Sequence, residues 1–71
     1  MTVKIMRGKR VLHETQVAHM KSAMDVIRIY RAEHKGLRDA HNVTLREAED
    51  ESGKHTLVEF GDPSVVARVY E

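Results

Sequence analysis

TQVAHMKSAMDVIRIYRAEHKG, residues 15–36, is the stretch on which the fold turns. Val17, Met20, Met24 and Ile27 recur at spacings of three, four and three, the apolar stripe of a 3.6-residue period. Ala23, Tyr30 and the stem of Arg31 flank that stripe, while Lys21, Asp25, Arg28 and Lys35 project away from it. Thr15 is placed to act as N-cap, its hydroxyl accepting an otherwise orphaned first-turn amide. Gly36 can enter the left-handed conformation that stops a helix, with Leu37 folding back as the hydrophobic contact of a Schellman-type cap. His34 and Lys35 sit where the helix dipole favours cations. Start, period and stop together predict one amphipathic helix from about Thr15 to Lys35.

Ile29 breaks the pattern. It lies roughly 160–170° around the helical wheel from the centre of the stripe, at about 100° per residue. Single exposed apolar residues are common and need no explanation. The sharper reading is a second apolar strip of Ala18, Val26 and Ile29, buried by a second subunit or a partner.

Strand signals stand on both sides of the helix. In residues 2–6, Val3 and Ile5 alternate with Lys4 and Met6. Arg7-Gly8-Lys9-Arg10 then reads as a turn, and Val11-Leu12 resumes an extended run, so a hairpin with Gly8 at its tip is one reading. Two- and three-residue loops both fit, and the alternative is one strand running directly into the helix. After the polar connection 38–42, Val43 and Leu45 alternate with Thr44 and Arg46 as a half-buried strand reaching about Ala48. Gly53 supplies the positive φ of the turn at residues 50–54, and Thr56 to Phe60 is rich in strand formers. Asp62-Pro63 suits either a helix start or a turn, but Val65, Val66, Val69 and Tyr70 favour a final strand. The expected fold is a single α+β domain, order β(β)αβββ, with the helix across one face of a small, mostly antiparallel sheet and the other face open.

Size narrows the class further. A 71-residue chain buries only about 60–65% of its extended surface, so its core is thin. Without cysteine it has neither a disulfide staple nor a thiolate metal site, and three aromatics leave an aliphatic, Met-based core. Thin cores often gain stability by pairing, so a homodimer is expected. No apolar run reaches the roughly 18 residues of a membrane span, and the start at Met1 lacks a secretory segment. The chain reads as a complete small cytoplasmic protein.

Net charge is only +1, but the charges are segregated. Lys4, Arg7, Lys9 and Arg10 fall in residues 1–13, which contain no acid, whereas residues 46–71 hold seven acids against three bases. Pairing of the two ends within the sheet or across a dimer is the simplest expectation. The functional alternatives are a basic patch for phosphate and an acidic patch for a basic protein groove. Glu47, Glu49, Asp50 and Glu51 crowd four carboxylates into five positions beside Ser52-Gly53, where like charges should repel.

The chemistry of catalysis is not evident. Five histidines, at 13, 19, 34, 41 and 55, show no metal-ligand spacing and read as surface imidazoles. Their number makes the charge rise as pH falls through about 6.5. No serine lies in a nucleophile motif, no phosphate loop is present, and the chain is small for a substrate pocket. The basic group Lys4, Arg7, Lys9 and Arg10 could lie against a phosphate backbone. Ribbon-helix-helix repressors also open with a short basic strand followed by a helix, but the resemblance stops at Gly36, where that family requires a second helix. No aromatic stacking platform of the RNA-recognition kind is evident. The expectation is therefore a non-enzymatic binding protein without cofactor or metal, acting on a protein partner. In size and style it is comparable to phage or mobile-element accessory factors that inhibit host defence. The alternative is a nucleic-acid-binding regulator using the basic N-terminal segment.

Overall fold

A computed structural model describes residues 1–34, 43–60 and 64–71. Its elements are β1 (Thr2–Arg7), β2 (Arg10–Gln16), α1 (Met20–Glu33), β3 (Thr44–Asp50), β4 (Gly53–Glu59) and β5 (Val65–Tyr70). The five strands form one sheet in the order β2-β1-β5-β4-β3, every neighbouring pair antiparallel. The helix crosses one face over β1 and β5. This is the expected α+β architecture, with the hairpin alternative realised and the last segment a strand.

The N-terminal hairpin has the two-residue loop Gly8-Lys9. Arg7 pairs with Arg10 across it, and positive φ falls on Gly8 alone, at +60°, as a type II′ turn requires. Leu12 is an extra residue: Ile5 pairs with His13, but Met6 pairs with Val11. That bulge turns both Leu12 and His13 toward the helix, where Leu12 packs against the core and His13 meets Tyr30. At the second hairpin, Asp50 pairs with Gly53, whose φ of +109° is the expected positive one.

The helix is shorter than its sequence pattern. Thr15 is not the N-cap; it lies in β2, paired with Val3 of β1, and the ladder continues through Val17 N–H to the Met1 carbonyl (2.9 Å) and the Met1 ammonium to the Val17 carbonyl (2.9 Å). The first of these bonds takes the Val17 amide that a Thr15 cap would have satisfied. His19 caps instead, its Nδ1 accepting the Ser22 N–H at 3.3 Å. At the other end His34 is already extended and its Nδ1–H donates to the Tyr30 carbonyl at 2.7 Å. The cap expected at Lys35, Gly36 and Leu37 lies outside the described residues.

The buried centre of the helix is Ala23 and Ile27, with Met20, Met24, Val26 and Tyr30 partly buried around them. That face is rotated by about 60° from the expected stripe, toward Val26. Ala23 and Ala67, both fully buried, are the small residues that allow the helix close to β1 and β5. Val3, Ile5, Val58, Phe60, Val65 and Val69 complete the core, and each such side chain is worth roughly 1.5–3 kcal/mol when fully buried.

The face away from the helix is not a bare apolar surface. By alternation it carries Lys4, Met6, His55, Leu57, Arg68 and Tyr70. Met6 and Leu57 are each only 9% exposed there, and the ion pairs Lys4–Glu14 (3.9 Å), Arg46–Glu59 (2.7 Å) and Arg68–Asp50 (2.9 Å) share that face.

Candidate functional site

The strand register puts the two charged turns at opposite poles. Arg7 pairs with Val65 at one end of the sheet, whereas Thr2, Tyr70 and His55 align at the other, with the Asp50–Gly53 turn beyond them. Six strand residues span about 20 Å, against a screening length of about 8 Å at physiological salt. The poles therefore act independently. The expectation that the ends neutralise each other within the sheet is corrected: among the described residues no ion pair joins residues 1–13 to residues 46–71.

At the basic pole Arg7, Lys9 and Arg10 are exposed, with no ion-pair partner among the described residues. Arg7 and Arg10 are directly opposite, a like-charge cross-strand pair that opposes folding. Lys4 does not belong to this group. It sits in mid-strand on the other face, 3.9 Å from Glu14 and 5.4 Å above the Tyr70 ring.

The fold adds to this pole a feature absent from the sequence reading. Tyr30 stacks with His13 (5.9 Å between centroids, 28° between planes) and with His34 (3.9 Å, 16°). The helix runs from Met20, near the Met1–Val17 end of the sheet, toward the hairpin tip, so the ladder lies on the same face and end as Arg7 and Arg10. This ring cluster differs from the sheet-borne aromatic platform of the RNA-recognition kind, which was not expected here. Its members come from a bulged strand and one helical turn; only the i,i+4 spacing of Tyr30 and His34 was visible along the chain.

At the acidic pole the four carboxylates part company. Glu47 and Glu49 are exposed on the helix side of edge strand β3, and Glu51 is exposed in the turn. Asp50 points the other way and is engaged. Its Oδ1 accepts the Ser52 N–H (2.8 Å), and its Oδ2 accepts the Tyr70 hydroxyl (2.8 Å) and Arg68 Nη1 (2.9 Å). Asp50 thus has a structural reason to be acidic, tying the turn to β5 across buried His55, whose Nδ1–H donates to the Gly53 carbonyl at 3.1 Å. The Tyr70 hydroxyl is the main cause holding the Asp50 carboxyl below its ordinary range; Ser52, His55 and Arg68 act in the same direction, against partial desolvation. Burial, then the Asp50 carboxylate, pushes Tyr70 up.

A depressed carboxyl contributes stability that is present above its unfolded value of about 4 and is lost as pH falls through the folded value; a raised phenol contributes stability lost as pH rises above about 10. Tyr70→Phe is therefore expected to raise the Asp50 midpoint in a carboxyl NMR titration and to soften the acid limb of the stability curve. An unmoved Asp50 midpoint would remove Tyr70 as the dominant cause.

β3 was expected to be half-buried, but as an edge strand it is largely exposed, Leu45 at 52%. The helix backbone lies over β1 and β5, and an open cleft of about 560 Å³ lies on the β3–β4 side between Glu47, Glu49, Lys54, Thr56, Val69 and Glu71. The strip expected on the helix does not form. Ala18 is in the bend before α1, the rotated helix turns Val26 onto its own core, and Ile29 alone is left, 54% exposed.

Among the described residues no three His, Asp or Glu side chains converge as a metal-ligand set, and no helix is long and apolar enough to cross a membrane. Comparison with protein families, curated proteins and solved structures finds no match to this chain.

Proposed function

We propose that this chain is a small, cytoplasmic, non-enzymatic binding protein that contacts nucleic acid through its N-terminal hairpin. The observation that supports it is the pair Arg7 and Arg10, set opposite each other at an exposed tip beside Lys9. Stability alone would place an acid at one of these positions. A phosphate backbone is the ligand that rewards the repulsion. With three phosphate contacts, log affinity should fall with log salt at a slope of about −2 to −3. Fluorescence anisotropy with labelled oligonucleotides at low salt tests this. Arg7→Ala or Arg10→Ala should weaken binding to every sequence and flatten the slope by about one unit. Absence of binding at low salt ends this reading.

Docking onto a protein is the second reading, favoured by the open β3 edge, where exposed main chain, Leu45 and the alternating Glu47 and Glu49 suit an extended basic segment. A phage-type accessory factor or inhibitor of host defence would act in this way, and a homodimer through Ile29 belongs to the same reading. Glu47→Gln, Glu49→Gln and Glu51→Gln together should slow capture of such a partner, since complementary charge acts mainly on encounter. Asp50 is left out of that variant because the fold uses it.

A further inference from the structure

We infer that the nucleic acid taken by the basic hairpin is single-stranded, and that His13, Tyr30 and His34 form the stacking site for its bases; this rests on the nucleic-acid reading above. Two independent features of one pole meet in it. The first is charge, from Arg7, Lys9 and Arg10. The second is the ring ladder, with both imidazoles stacked on Tyr30 and both exposed. A base can continue that stack on an exposed imidazole face. A base with a free face for this is offered by an unpaired strand, because bases within a duplex are already stacked and present edges and phosphates.

Helix capping accounts for His34, whose Nδ1–H is tied to the Tyr30 carbonyl at 2.7 Å. It does not account for His13, an exposed edge-strand residue turned to the same ring by the Leu12 bulge. Among the described residues the tip carries three exposed cations without an ion-pair partner, Arg7, Lys9 and Arg10, so the electrostatic grip from them is modest, and stacking would supply the remainder of a useful affinity.

The test compares a labelled oligothymidylate, an abasic deoxyribose-phosphate strand of the same length and a duplex, by anisotropy at low salt. The oligothymidylate should bind on the order of tenfold more tightly than the abasic strand. His13→Ala and Tyr30→Leu should each erase most of that difference while leaving abasic binding in place, and Tyr30→Phe should retain it. Tyr30 is partly buried, so the result is carried by His13→Ala, at an exposed site, with circular dichroism confirming the fold. Equal binding of thymidylate and abasic strands, or a duplex bound as tightly as the single strand, overturns the stacking site and leaves the charged hairpin as the contact. If none of the three binds, the nucleic-acid reading itself falls.

Discussion

Arg10→Glu is expected to make the domain more stable and a poorer ligand for phosphate polymers, the two readouts moving in opposite directions. The substitution replaces a like-charge pair with an opposite-charge pair facing Arg7. Cross-strand pairs of this kind shift stability by roughly 0.2–1 kcal/mol, and both the repulsion removed and the attraction gained have the same sign here. Binding loses one cation and gains an anion at the contact, so affinity at low salt should drop on the order of ten- to a hundredfold, the loss shrinking as salt screens it. Lys9→Glu separates the two effects. Lys9 is in the loop with no residue opposite it in the ladder, so binding should fall while stability stays level. Urea denaturation beside anisotropy measures both quantities. A less stable Arg10→Glu domain, or one that binds as well as the original, would show that the opposed arginines are not a functional compromise.

Phe60→Ala should leave the domain at the margin of folding. Phe60 is the largest of the fully buried side chains, placed just past β4 where the sheet meets Met24 and Ile27 of the helix. Truncating such a residue costs about 3–5 kcal/mol, transfer and cavity terms together. A domain of this length has about 4–10 kcal/mol of total stability. No other aromatic is available to refill the space, because Tyr30 and Tyr70 are held in the ring ladder and by Asp50. Thermal melting should show a midpoint lowered by tens of degrees or no cooperative transition. A midpoint within a few degrees of the original would mean that the core closes over the gap, and would move the weight of the fold from Phe60 to the aliphatic rows of β1 and β5.

The Asp50 contacts set the two poles apart in kind. At the basic pole like charges face each other and stay exposed. At the acidic pole one of the four crowded carboxylates, Asp50, accepts three hydrogen bonds and closes a turn. Charge density in a sequence therefore did not separate a strained surface from a satisfied one. Pairing geometry did.

Much of the architecture was legible because it rests on local chemistry. Alternation in residues 2–6, the glycines at 8 and 53, and the helical period around Met20 to Ile27 each act within a few residues, and each determined an element or a turn. The class of fold followed, since one apolar helix face and four or five short strands leave few ways to be buried. What the sequence could not determine depends on partners far along the chain. Thr15 has the chemistry of a cap but belongs to a strand, because Val3 and Met1 hold that stretch in the sheet. Val26 reads as the far side of a helix whose rotation was decided by the close fit over Ala67 and Ala23. The ring ladder needs a one-residue bulge at Leu12, a register event with no sequence mark, to bring residue 13 to residue 30. Local forces act over one turn or one strand pair, so the sequence by itself determined the elements. Register and helix rotation are global fits of side-chain volume, and only the tertiary structure decided which side chains meet.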